Sequence, residues 1–101
     1  MNGHRRHATA RAALVRDLEL DGSLVVRTTG PSHVDLVRID PTGRAWLYEI
    51  KTSTTGAFRG LGLTQGERDA AEWAAAHGVP YVVARFRVSD AGGSRTVERL
   101  P

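Results

Sequence analysis

The stretch Ala45–Lys51, with the sequence AWLYEIK, decides the fold of this chain. Side chains alternate between the two faces of a β-strand. In this stretch one face carries only large apolar or aromatic side chains, and the other ends in two charged ones: Trp46, Tyr48 and Ile50 on the first face, and Ala45, Leu47, Glu49 and Lys51 on the second. The pattern predicts a strand that buries one face and presents Glu49 and Lys51 together on the other.

Strand patterns also surround this stretch. Residues 34–40 alternate, with Asp35 on the face opposite Leu36, and the turn residues Pro41-Thr42-Gly43 predict a hairpin between this strand and the next. Further β-rich runs occupy residues 24–29 and 81–88, and residues 95–100 are predicted to return as an edge strand.

Two segments have helical patterns. The first runs from about Thr9 to Leu20 and ends at Asp21-Gly22. The second begins after Thr64, with Glu67 completing a capping box, and stops at Gly78. Its predicted buried stripe consists of Ala70, Trp73, Ala74 and His77, and Trp46 and Trp73 are expected to join the sheet to this helix. The polar, glycine-rich residues 52–62 are predicted to form a loop.

The element order is therefore α-β-β-β-α-β, with an additional last strand. This order predicts an α/β (α+β) domain in which helices flank a mixed central sheet. A chain of 101 residues with 41% hydrophobic and 25% charged residues fits one small globular domain, and excludes collagen, coiled-coil and wholly disordered classes. We expect a basic N-terminal arm over residues 1–8 and a single domain over residues 9–101.

The composition of the chain excludes several classes of functional site. The chain has no cysteine, which excludes disulfides, thiolate zinc sites and cysteine nucleophiles. It has neither an apolar run long enough to cross a membrane nor a signal-peptide pattern, so a cytoplasmic protein without a membrane partner is expected. Of its 14 cationic residues 13 are arginine, which suits a polyanionic partner but equally reflects the composition of a GC-rich genome. The only lysine is Lys51.

Asp35, Glu49 and Lys51 are the candidate metal-binding and catalytic residues. Counting across the hairpin turn places Asp35 near Lys51, so two carboxylates and one ammonium are expected to converge. Paired carboxylates bind hard divalent cations such as Mg²⁺, and a lysine beside them can stabilise charge during hydrolysis of a phosphodiester. The alternative interpretation is an exposed Glu-Lys pair on a solvated sheet face.

Three motifs in order resemble the PD-(D/E)XK nuclease superfamily, which has the restriction-endonuclease-like fold. They are Val25–Gly30, His33–Val37 and Tyr48–Ser53. The first half is similar to archaeal Holliday-junction resolvases. The second half, with Glu49–Ser53, Leu63–Glu67 and Tyr81–Val83, more closely resembles the C-terminal domain of plant NO VEIN proteins, which also occurs in bacterial restriction and defence proteins.

The resemblance implies a nuclease that hydrolyses DNA in defence, restriction or DNA repair. It implies that Asp35, Glu49 and the backbone carbonyl of Ile50 bind Mg²⁺ or Mn²⁺, and that Lys51 is catalytic. The sequence departs from the family pattern at two places. His33-Val34 stands where a proline commonly precedes the aspartate, and Arg11 stands where many resolvase-like members have a glutamate in the first helix.

Other residues are predicted to assist. Nucleic-acid contacts are expected from a set of polar and basic residues near the predicted site: Arg27, Ser32, His33, Thr52, Ser53 and Arg59. Gln65 and Glu67 are candidate accessory residues, although a helix-capping role explains Glu67 equally well.

Two other functions remain open at this stage. One is a non-catalytic module with a nuclease fold that binds nucleic acid or protein, and the other is a structural subunit of a larger defence complex. A bare nuclease core carries no target-recognition domain, so a homodimer or a larger partner protein is expected in each case.

Overall fold

A computed structural model describes residues 3–28, 33–58 and 62–101. Its elements follow the order α-β-β-β-α-β-β: α1 (Gly3–Leu20), β1 (Leu24–Arg27), β2 (Leu36–Ile39), β3 (Ala45–Ser53), α2 (Gln65–Ala76), β4 (Tyr81–Ala91) and β5 (Ser94–Leu100). The predicted mixed α/β fold class and the additional last strand are thereby confirmed.

The five strands form one mixed sheet in the order β1-β2-β3-β4-β5. Strands β3 and β4 are parallel and are connected through α2, whereas the other neighbouring pairs are antiparallel. Parallel neighbours need a long crossover connection, and α2 supplies it.

The hydrophobic core lies between α1 and one face of the sheet. The helix buries one stripe, Ala10, Leu14, Val15 and Leu18, and the sheet contributes Leu36, Tyr48, Ile50, Ala84, Phe86 and Val88. These sheet residues alternate along their strands, as the pleat requires. Residues between them point to the opposite face, where α2 lies, and Glu49 and Lys51 belong to that second face.

The β2–β3 hairpin has a different register from the predicted one. Ile39 pairs with Ala45 and Leu36 with Tyr48, and Asp35, just before β2, contacts the backbone of Tyr48 and Ile50 rather than Lys51. The reason is the turn itself, because the Asp40 carboxylate accepts hydrogen bonds from the N–H groups of Thr42 and Arg44 and draws Asp40 into the turn.

Helix α1 begins earlier than predicted. Residues 3–8, which the sequence predicted as a basic arm, belong to α1, and the helix starts at Gly3 instead of about Thr9. Arginine and alanine are good helix formers, so a segment without an apolar stripe still extends the helix. The helix ends as predicted: Gly22 has a φ of 85°, and the Ser23 N–H donates to the Leu18 carbonyl.

Strand β3 and the tryptophans also depart from the sequence-based expectation. The strand continues through Thr52 and Ser53, which pair with β4, so the loop begins two residues later than predicted. Trp46 packs against the α1 side of the core. Trp73 is 55% exposed and stacks on His77. Neither tryptophan joins the sheet to α2 as expected.

In the described residues, neither helix is both long and apolar enough to cross a membrane.

Candidate functional site

The candidate site lies where β2 begins, on the α2 face of β3. Asp35 immediately precedes β2, and its N–H donates to the Tyr48 carbonyl at 2.8 Å. Glu49 and Lys51 project from β3 on the same face, and Glu67 reaches them from the first turn of α2. Three elements thus bring four ionisable side chains together.

Asp35, just before β2, is held by two contacts to one carboxylate oxygen. Its Oδ2 accepts a hydrogen bond of 2.7 Å from the Ile50 N–H and lies 3.3 Å from Nε2 of His7 in α1. Burial opposes ionisation of this carboxyl, but the hydrogen bonds from His7 and Ile50 outweigh it, so the pKa of Asp35 is lowered. Asp35 is therefore an anion fixed beside the backbone of Ile50.

Lys51 lies between two glutamates. Its Nζ is 2.9 Å from Oε1 of Glu67 and 3.7 Å from Oε1 of Glu49. All three side chains are largely buried, with exposed fractions of 15% for Lys51, 9% for Glu49 and 10% for Glu67. Charged groups in such surroundings need partners, and each of these has one within the cluster.

The two glutamates differ in their acidity. Burial, the hydrogen bond with Glu67 and the charge of Asp35 raise the pKa of Glu49 to about 9. Burial acts in the same direction on Glu67, but hydrogen bonds from the Lys51 ammonium and the Thr64 N–H outweigh it and lower the pKa of Glu67 to about 2. Carboxyls pushed in opposite directions within one cluster are typical of functional sites.

Helix α2 is fixed at this site by its own cap. The Thr64 side chain accepts from the Glu67 N–H, and the Thr64 N–H donates to Glu67 Oε1 at 2.9 Å, which confirms the predicted capping box. The same Oε1 contacts Lys51. Glu67 therefore does both things that the sequence left open: it caps α2 and it faces the site.

His33 and Tyr81 border the cluster. The His33 ring packs so closely on α2 that a Cβ at Gly66 would overlap it. The Tyr81 hydroxyl donates to the His33 carbonyl at 3.1 Å. Burial and the charges of Glu49, Glu67 and Asp35 raise the pKa of Tyr81, which places its hydroxyl within the field of all three carboxyls.

Several predicted nucleic-acid contacts lie elsewhere. Arg27 lines an open cavity of about 380 Å³ beside α1, on the face opposite Glu49. Thr52 pairs with Phe86 and shares its face. Ser53 follows Lys51 on the site face, but its hydroxyl accepts from the N–H groups of Thr55 and Gly56 in the turn after β3. Ser32 and Arg59 lie outside the described residues.

Gln65 is bonded along the helix surface. Its amide donates to Asp69 and accepts from Arg68, and it makes none of the described contacts with the buried cluster.

Sequence reasoning missed His7 and Tyr81. A signal for His7 exists, because it lies three and seven residues before the buried Ala10 and Leu14, which places it on the core stripe of α1. Its contact with Asp35 spans 28 positions in the chain and follows only from the docking of α1 on the sheet. Tyr81 shares the site face with Glu49 because it pairs with Leu47 in the parallel register.

The donor set can be compared with what a metal requires. Within residues 3–28, 33–58 and 62–101, no three histidine, aspartate or glutamate side chains are grouped closely enough to hold a metal ion by themselves. Mg²⁺ commonly needs only one or two carboxylates, since water and phosphate oxygens complete its octahedron. Asp35 and Glu49 fit that requirement, and the Ile50 N–H points toward β2, where that strand has already ended. The carbonyl of a strand residue faces the same side as its N–H.

No protein-family model matches the chain, and the comparisons with curated proteins and with solved structures found no similar protein. The convergence of Asp35, Glu49, Lys51 and Glu67 is therefore the ground for any functional conclusion.

Proposed function

We propose that this protein is a nuclease of the PD-(D/E)XK type that hydrolyses DNA phosphodiester bonds with Mg²⁺ or Mn²⁺, in defence, restriction or DNA repair. One observation carries the proposal. The Asp35 carboxylate and the Glu49 carboxyl group lie beside the Ile50 peptide, and the chain's only lysine lies beside Glu49 on the same buried face. The αβββαβ element order, which the superfamily resemblance also implied, supports it.

The proposed roles follow from the contacts. Asp35, Glu49 and the Ile50 carbonyl would hold the cation, which when bound supplies neutralisation of charge on the phosphate and a lowered pKa for water in the site. Lys51 would stabilise the negative charge that develops on the phosphoryl oxygens. His7 holds Asp35 in place, and Glu67 holds the Lys51 ammonium. Such preorganisation is what a charge-stabilising site requires.

A second candidate function is a module that binds nucleic acid or protein without cutting. The observation that favours it is the charge balance within the cluster. Lys51 is paired with Glu67 at 2.9 Å, and Asp35 is paired with His7 and the Ile50 N–H. Each of these two charges thus has a partner without any cation, as in a site that has become structural.

The experiment that separates the two functions is a cleavage panel. Plasmid, linear duplex, branched and single-stranded DNA, with a matched RNA, are incubated with the protein in Mg²⁺, in Mn²⁺ and in EDTA. Cleavage in either metal that is lost in EDTA and in Glu49→Gln supports the nuclease. Glu72→Gln, an exposed glutamate of α2, is the matched control and should cut normally. Binding without cleavage of any substrate supports the module.

The proposed DNA substrate also implies a cellular location and a partner for the protein. We propose a cytoplasmic location, where the DNA targets of defence, restriction and repair nucleases are found. We further propose that a homodimer or a larger partner protein supplies target recognition.

A further inference from the structure

Arg85 lies beside the candidate site on the next strand. It is the register partner of Lys51 across the parallel β3–β4 pair. Its neighbours Ala84 and Phe86 are 1% and 2% exposed and belong to the core under α1, so the Arg85 side chain emerges on the opposite face, with Lys51. Arg85 itself is exposed.

The surroundings of Arg85 leave its guanidinium available. Arg87, the next residue of β4 on this face, is paired with Glu98 of β5. The turn after β3 packs over Arg87, since a Cβ at Gly56 would lie 3.7 Å from its Cδ. In the part of the chain that the structure describes, Arg85 has no ion pair or hydrogen-bonded carboxylate.

The site next to Arg85 has little positive charge of its own. Lys51 is balanced by Glu67, and Asp35 adds a further negative charge close by. A phosphodiester is an anion, so a cluster with this balance does not attract it in the absence of a cation. Arg85 lies on the adjacent strand, directly opposite Lys51 in register, and its guanidinium has no ion pair among the described residues, so its charge changes that balance.

We propose that Arg85 is a nucleic-acid backbone contact that binds a phosphate next to the one held at Glu49 and Lys51. The inference rests on the proposed function and adds a substrate-positioning residue to it. The arginine fork matches two phosphate oxygens and keeps its charge at all working pH values. A contact of this kind fixes the register of the strand over the site and carries no base specificity.

Fluorescence anisotropy with a labelled duplex and a labelled single strand tests this role. Affinity is measured in EDTA across a salt series for wild type, Arg85→Ala, Arg85→Lys and Arg99→Ala. Arg99 is the matched control, because it is an exposed arginine that pairs with Phe86 and so lies on the other face. Melting curves of each variant confirm that it is folded.

The expected result is that Arg85→Ala weakens binding about tenfold and lowers the salt slope by about one, while Arg99→Ala matches wild type. Arg85→Lys should keep the salt slope and recover part of the affinity. Single-turnover cleavage in Mg²⁺ at sub-saturating DNA should fall in step with affinity for Arg85→Ala and stay at the wild-type rate for Arg99→Ala, since a positioning contact acts on binding.

Two results would overturn the inference and are distinguishable from each other. If wild type binds and cuts DNA while Arg85→Ala and Arg99→Ala behave alike, the Arg85 contact is wrong and the nuclease stands. If wild type neither binds nor cuts any nucleic acid, both the contact and the nuclease are wrong.

Discussion

Glu67 Oε1 links two of the elements that form the candidate site. It accepts from the Thr64 N–H at 2.9 Å and from Lys51 Nζ at 2.9 Å, so one carboxylate oxygen joins the start of α2 to the end of β3. Because this oxygen is part of a helix cap, its position is set by backbone geometry rather than by a flexible side chain. The ammonium of Lys51 is consequently held in one place, as charge stabilisation in a transition state requires.

Lys51→Ala should therefore separate catalysis from binding. We expect a loss of about 10²–10³ in single-turnover cleavage, because one preorganised charge is removed from the reaction site. DNA affinity should change much less than the cleavage rate, because the loss of one phosphate contact weakens binding only modestly. Lys51→Arg keeps the charge but replaces a compact ammonium with a planar fork, so it should bind DNA and fail to restore cleavage. Equal cleavage by all three proteins would contradict a catalytic role for Lys51.

Asp35 and Glu49 are predicted to bind a divalent metal ion. Oxygen ligands favour Mg²⁺ and Mn²⁺ over zinc. Titration calorimetry should detect Mg²⁺ or Mn²⁺ binding in wild type and in the control Glu72→Gln, and should lose it in Asp35→Ala and Glu49→Gln. Retention of the same binding by both site variants would show that the cation binds elsewhere.

The stability of the fold is predicted to depend on pH through Asp40. Hydrogen bonds from Thr42 and from the Trp46 indole hold the pKa of Asp40 well below its usual range. A carboxyl with a depressed pKa stabilises the fold above its unfolded pKa of 3.8, and this stabilisation disappears as the pH falls through the folded value. Asp40→Asn should therefore lower the melting temperature at pH 7, and the difference from wild type should shrink on acidification below pH 3.8. A pH-independent difference would contradict this origin.

The N-terminal cap of α2 is expected to make a measurable contribution to the stability of the fold. Thr64→Ala removes the side-chain acceptor of the Glu67 N–H, and loss of such a cap costs about 1 kcal/mol. Urea denaturation should show a lower midpoint with an unchanged slope. A Thr64→Ala midpoint equal to that of wild type would mean that the cap contributes nothing to stability.

The sequence predicted the strand faces better than their register. Alternation in β3 correctly placed Tyr48 and Ile50 in the core and Glu49 with Lys51 on the other face, because burial specifies which face a strand residue takes. The predicted pairing across the hairpin is wrong, because the Asp40 N–H donates to the Arg44 carbonyl and the Asp40 carboxylate belongs to the turn. Asp35 therefore contacts the backbone of Ile50 rather than Lys51, and it still interacts with Glu49 in the site.

The helices show where pattern reasoning fails. In α2 the predicted stripe included Trp73, but the buried positions of the helix are Glu67 and Ala74, and Trp73 lies at the margin of the surface they define. Apolar character alone would never place a glutamate on the inner face. In α1 the first turns carry no apolar signal, and only docking on the sheet reveals that His7 meets Asp35. The periodicity of a single sequence does not predict contacts between polar groups that lie far apart in the chain.

The two helices cover opposite faces of the sheet, with α1 over the apolar core and α2 beside the polar cluster. Helix α1 covers the face that carries the apolar core. Helix α2 lies on the other face, where the polar cluster is, and it connects the only parallel strand pair among the described strands. Irregular ends of strands beside such a crossover are common places for ligands. The site therefore lies where β2 has ended and the backbone of β3 is no longer paired on that side.

The same division leaves an apolar strip at the edge of the sheet. In edge strand β1, Leu24 is 63% exposed and Val26 is 49% exposed, on the face that α2 occupies further along the sheet. An open edge strand with exposed apolar side chains is a ready surface for pairing with another chain. Together with the proposed duplex substrate, which has two strands, this strip leads us to predict a homodimer formed through β1.

Light scattering at micromolar concentration should report about twice the chain mass of 10.9 kDa. Val26→Lys places a charge on the β1 strip and should give a monomer, because a lysine on an edge strand opposes edge pairing. Thr96→Lys, at an exposed position of the opposite edge strand β5, adds the same charge and should remain a dimer. If both variants dimerise, the chains associate through another surface. If wild type is a monomer both free and bound to DNA, the homodimer is wrong, and a larger partner protein stays the alternative.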